Sequence, residues 1–101
     1  MSIDNVIKTN DLTAVASLSA GGYDWSETGV YFQRSSGRFF VLEDSGCSCY
    51  YYGEAVDSLS DLAQTTREGA MESLKSLGGG GYLAASADDT QREVAKVRDF
   101  R

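Results

Sequence analysis

The thiols Cys47 and Cys49 stand one residue apart in Ser45-Gly46-Cys47-Ser48-Cys49-Tyr50, and the 101-residue chain has no other cysteine. In an extended strand such a pair points to one side with its sulfurs too far apart to bridge, whereas a tight turn lets them converge. Three roles are open to it: a turn or packing role, thiol–disulfide exchange or direct partner contact, and metal ligation. A zinc site normally takes four ligands and this pair supplies two, so ligation needs a second copy across a dimer axis, or Glu43 or Asp44 in place of a sulfur. No Lys, Arg or His adjoins either thiol to favour the thiolate, which counts against a catalytic nucleophile. A structural disulfide is not expected in a cytoplasmic chain, and no cofactor is expected.

The chain also lacks His, which removes the commonest general base, the commonest neutral metal ligand and any His-containing triad. Asp24, Glu27, Glu43, Asp44 and Glu54 are candidate acids and bases, but no spacing pairs two of them with a nucleophile or a metal set. The chain is therefore read as non-enzymatic; an unfamiliar carboxylate enzyme would need a cleft in which Asp or Glu converge.

The aromatic residues offer recognition chemistry instead. Tyr50, Tyr51 and Tyr52 are consecutive, so an extended chain cannot turn all three inward and at least one ring must be exposed. With Tyr23 and Trp25 they form either a recognition patch or a cover over one face of a sheet. Exposed Trp and Tyr are enriched among interface hot spots.

These groups need a scaffold, and the stretch Thr28 to Gly53 supplies its centre. Ser35-Ser36-Gly37 between two apolar runs suits a three-residue hairpin loop with a left-handed Gly37. Setting Arg34 opposite Arg38 pairs Gln33 with Phe39, Phe32 with Phe40, Tyr31 with Val41 and Val30 with Leu42. Val30, Phe32, Phe40 and Leu42 then share the core face beneath the helices, and Tyr31, Gln33, Phe39 and Val41 share the other. The arrangement of the aromatic loop, and the docking surface built on it, hang on those four side chains lying together. Arg34 and Arg38 repel across the tip unless an anion answers them, and are either solvated or salt-bridged, or a site for phosphate or a partner's carboxylate.

Upstream, Leu12, Ala14, Ala16 and Leu18 alternate with Thr13, Val15 and Ser17 as a strand ended by Gly21-Gly22. Residues 1 to 10 are either a helical turn or a strand. Downstream the period changes. Ser58 with Asp61 and Thr65 with Glu68 have capping-box spacing, Leu59 and Leu62 mark a short helix, and Ala70, Met71, Leu74 and Leu77 mark a longer one. Gly78 to Gly81 read as a linker, and Ser86 with Asp89 caps a last helix carrying Ala87, Val94 and Val97. That stripe is narrow, so the helix docks weakly or against another copy. The expected fold is α+β: a three-stranded antiparallel meander over 12–19, 28–34 and 38–44, followed by two or three helices packed on one face. Residues 1–78 form a compact domain, 79–81 a glycine linker, and 82–101 a C-terminal helix docked on the same domain.

A net charge of −6 with no basic cluster argues against direct nucleic-acid binding. An acidic surface suits a basic protein patch, including one that normally holds nucleic acid. No apolar run approaches the length of a membrane span, and the N-terminus has neither a basic start nor an apolar signal core, so a cytoplasmic location is expected.

Asp24-Trp25, Gly29-Val30-Tyr31, Ser36-Gly37-Arg38-Phe39-Phe40 and Asp44-Ser45-Gly46-Cys47-Ser48-Cys49 resemble a family of small proteins encoded by actinobacterial phages. The similarity covers roughly residues 23 to 54, with the Ser-Gly-Cys-Ser-Cys string its most distinctive part. The resemblance implies provenance and a class habit, binding and redirecting a host protein or a defence component; it implies no activity, cofactor or site residue. The preferred reading is accordingly a non-enzymatic phage protein that binds a host or anti-phage defence protein through Trp25, Arg34, Arg38, Tyr50, Tyr51 and Tyr52. The alternative is a metal-binding or thiol-redox module at Cys47 and Cys49, with a homodimer in view.

Overall fold

Gly37 takes the left-handed φ of 71° that the hairpin tip requires. It does so in a computed structural model that describes residues 2–78 and 85–101. The loop it closes has four residues, Arg34 to Gly37, with Gly37 N–H donating to Gln33 O at 2.8 Å. Gln33 therefore pairs with Arg38, Phe32 with Phe39, Tyr31 with Phe40, Val30 with Val41 and Gly29 with Leu42. That is one residue away from the expected register, and a one-residue slip changes which side chains share a face. Val30 and Phe32 lie with Phe39 and Val41, while Phe40 and Leu42 lie with Tyr31 on the opposite face. The four side chains expected together are split.

Local contacts account for the longer loop. Inside it, Arg34 escapes Arg38 and rests its guanidinium 5.9 Å from the Phe32 ring centre and 5.5 Å from that of Phe100. Ser36 Oγ donates to Gln33 Oε1 at 2.6 Å, and Asp11 Oδ2 accepts from Ser35 N–H at 3.0 Å. A Cβ at Gly37 would touch nothing, so Gly37→Ala isolates the backbone cost of its φ. The expected loss is about 1–2 kcal/mol in urea unfolding. Gly22→Ala, also in open space and without a left-handed φ, should be close to neutral.

The architecture is α+β, with four antiparallel strands in the order β1-β2-β3-β4 and three helices among the described residues. Helix α1 spans Ile3–Thr9, β1 Leu12–Gly21, β2 Trp25–Gln33, β3 Arg38–Gly46, β4 Ala63–Thr65, α2 Arg67–Gly78 and α3 Ala87–Asp99. The extra strand, Ala63-Gln64-Thr65, pairs with Phe39 to Val41 and follows a 3-10 turn at Leu59–Asp61 where a short helix was expected. The Ser58–Asp61 capping box does form. Thr66 rather than Thr65 caps α2, accepting from Gly69 N–H at 3.0 Å, because Thr65 is held in β4. Ser86 caps α3 by accepting from Asp89 N–H at 3.1 Å.

The helices cover both faces of the sheet. Ala70 and Leu74 of α2 and Val94 and Val97 of α3 pack on Val30, Phe39 and Val41, and Val97 is fully buried. Ile3 and Val6 of α1 pack on the other face against Tyr31, Phe40 and Leu42, joined by Val56 and Leu62. The chain between β3 and β4 thus crosses that second face. A register shift between Ala14 and Ala16 marks a bulge in β1. It reverses the alternation, so that Leu12 faces α1 while Ala16 and Leu18 face α2 and α3. The expected glycine linker at 79–81 lies outside the described residues.

Candidate functional site

Strand β2 carries Glu27, Gly29 and Tyr31 on the face that α1 and the Tyr50–Tyr52 run approach, since alternate residues of a strand share a side. Gly29 has no side chain, and a Cβ there would overlap the hydroxyls of Tyr31 and Tyr52. Those hydroxyls meet above it. Tyr31 Oη donates to Tyr52 Oη at 3.0 Å, and Tyr52 Oη donates to Leu42 O at 3.0 Å. Burial pushes both phenols above their ordinary range, so both stay neutral hydrogen-bonding groups.

Glu27 lies beside this pair, opposite Asp44 on β3. Asp44 is satisfied: Oδ2 accepts from Gly53 N–H at 2.9 Å and Oδ1 from Ser45 N–H at 3.0 Å. Burial, and then the Asp44 charge, raise the Glu27 carboxyl above its ordinary value of 4.5. Among the described residues no cation pairs with it. It opens on a cleft of about 580 Å³ whose wall includes Asp4, Tyr31, Tyr51, Tyr52 and Glu54. Lys96, which also lines the cleft, is already engaged by Glu93 at 2.7 Å, and Glu93 also accepts from Ser17 N–H at 3.0 Å on the outer edge of β1.

A carboxyl whose folded-state pKa is raised holds its proton more tightly folded than unfolded, so ionising it costs stability. That cost is absent below the unfolded value near 4.5, grows as pH rises, and is complete above the folded value. Glu27→Gln is therefore expected to stabilise the chain at neutral pH, by under about 1 kcal/mol because solvent screens a half-exposed group. At pH 4 and below the gain should vanish. Paired urea titrations at the two pH values check the sign.

The remaining site residues fall into separate places. Tyr51 is 76% exposed at the cleft, whereas Tyr52 points inward and covers the sheet. Trp25 begins β2, three residues before the strand expected at 28–34, stacks on Tyr50 at 5.9 Å between ring centres, and donates from Nε1 to Cys47 O at 2.9 Å. Trp25, Tyr50, Tyr51 and Tyr52 are therefore not one exposed patch. Arg38 lines another cleft with Phe40, Leu62 and Gln64, on the face away from Phe32, over which Arg34 rests. The two guanidinium groups do not share an anion site.

Cys47 and Cys49 do converge, with 2.8 Å between sulfurs. No three Cys, Asp or Glu side chains gather as a metal-ligand set among the described residues, so neither Glu43 nor Asp44 completes a site within one chain. The sequence marks neither Asp4 nor Gly29 as a site residue, and it presents Glu27 as one candidate acid among five. The usable signal was the period-two array Glu27, Gly29, Tyr31.

Residues 1–100 match the model of a family described as a domain of unknown function, DUF7574. The chain belongs to the DUF7574 family. Every wall of the cleft in this DUF7574 chain, from α1 to α3, lies within the matched span. No curated protein and no solved structure matches it. Among the described residues of the DUF7574 fold, no helix is long and apolar enough to cross a membrane.

Proposed function

We propose that the chain is a non-catalytic phage protein that docks on a host or anti-phage defence protein in the cytoplasm, and that the Glu27 cleft receives a basic side chain of that partner. The docking reading cannot rest on four hairpin side chains that lie on opposite faces. It rests on Glu27, a part-buried carboxylate with a raised pKa and no cation among the described residues. A charge that costs the fold stability and gains no partner within it suits a partner outside.

The surroundings favour a lysine or arginine. Asp4 and Glu54 add negative charge at the cleft, and Tyr51 offers an exposed ring over which a cation can lie. A net charge of −6 steers a basic surface toward it. Among the described residues no hydroxyl or thiol nucleophile is hydrogen-bonded to a cleft carboxylate, so the acids of its wall serve holding better than bond-making. The resemblance to actinobacteriophage proteins supports a host or defence partner.

Affinity purification from host cells, followed by mass spectrometry, tests the reading. The wild type should recover a partner that the Glu27→Gln, Tyr51→Ala double variant loses, and recovery should weaken as salt rises. Undiminished recovery by the double variant would remove the cleft from the interface.

A further inference from the structure

The turn Cys47–Tyr50 lies apart from the Glu27 cleft and has chemistry of its own. Tyr50 N–H donates to Cys47 O at 3.1 Å, which folds the chain back and brings the sulfurs to 2.8 Å. That is within an ångström of the bonded distance, about 2.05 Å. Cys49 is exposed and Cys47 partly so, and neither is bridged. The turn is held from the sheet side, because Trp25 Nε1 donates to Cys47 O while the Trp25 and Tyr50 rings stack with planes 5° apart. Gly46 leaves room for this, since a Cβ there would press on the Tyr50 ring at 2.7 Å. The thiols are thus set on a braced strand end.

We propose that Cys47 and Cys49 form a thiol–disulfide exchange pair that reduces small disulfides and is itself oxidised to an intramolecular disulfide. Cys47 thiolate attacks one sulfur of the external disulfide, a Cys47–sulfur bond forms, the external sulfur–sulfur bond breaks, and the first small thiolate leaves. Cys49, on losing its proton, attacks the Cys47 sulfur and expels the second small thiolate. Two electrons pass from the pair to the external disulfide, and the two protein protons end on the released thiols. The contact between the sulfurs supports this order of attack, since Cys49 S–H bonding to Cys47 lowers Cys47 below its ordinary value and raises Cys49. A disulfide spanning one intervening residue is strained and exposed, and disulfides of that kind are readily reduced again.

The test uses the full reduced chain with excess oxidised glutathione, read by intact-mass spectrometry. The wild type should lose two hydrogens and retain no glutathione. Cys49→Ser should retain one glutathione on Cys47, acquired several-fold faster than Cys47→Ser acquires one on Cys49. The emission of Trp25, the only tryptophan, should change together with the mass loss and stay constant in the double serine variant. A wild type that stays reduced, keeps glutathione on both cysteines, or links two chains overturns the exchange pair. Equal rates for the two single variants overturn the role of Cys47 as attacking thiol. No partner protein takes part, so the outcome is independent of the docking reading.

Discussion

Leu74→Ala is expected to lower the unfolding free energy by about 2–5 kcal/mol, the largest stability loss of any change considered. Among the described residues Leu74 is the largest of the fully buried side chains, at 0% exposure. It sits mid-helix in α2, in the cluster that includes Ala70, Val30, Val41, Val94 and Val97. Truncation loses the transfer free energy of the removed carbons and leaves a void that neighbours fixed by strand pairing and by α3 cannot close. Marginal stabilities of about 5–15 kcal/mol make this a large share of the total. The urea midpoint should fall with the slope unchanged, and Leu74→Met, close in volume, should cost under about 1.5 kcal/mol. A loss below about 1 kcal/mol for the alanine variant would mean that α2 is not seated on the sheet.

The largest effect on binding is expected from the Glu27→Gln, Tyr51→Ala double variant, which should weaken partner affinity by about 2–3 kcal/mol, on the order of 100-fold. Glu27 is only part-buried, which keeps the figure at the low end for losing a charged partner. Tyr51 adds ring contact of the kind that marks hot spots. The effects should not simply add, because one bound cation would touch both groups. Calorimetric titration against the purified partner reads the loss directly. The glutamine change alone is expected to stabilise the free chain, so weaker binding with undiminished stability separates an interface role from a folding defect.

Part of this was legible in the sequence because local chemistry decides it. Gly37 at a left-handed turn, the caps at Ser58 and Ser86, and the apolar stripe of α2 each depend on residues within one or two turns of chain. What failed depended on competition between distant groups. Arg34 enters the hairpin loop because Phe32 and Phe100 receive its guanidinium, and Phe100 is 66 positions away, at the end of α3. The bulge near Val15 leaves no mark in an alternating string, and β4 is three residues, Ala-Gln-Thr, without an apolar pattern. The candidate site followed the same division. Glu27, Gly29 and Tyr31 share a face by alternation alone, but nothing local shows α1 and Tyr52 closing over them. Of three adjacent tyrosines, Tyr51 alone is fully exposed, while Tyr50 and Tyr52 are part-buried, which adjacency in the chain does not decide.

Site-specific photocrosslinking in host cells addresses the central claim most directly, with a photoreactive side chain at position 51 and, as a control, at position 72 on the outer side of α2. The expected result is a single protein captured from position 51 and not from 72, joined through a peptide containing Lys or Arg. Capture from position 72 and none from 51 would contradict a partner's cation entering the cleft beside Glu27.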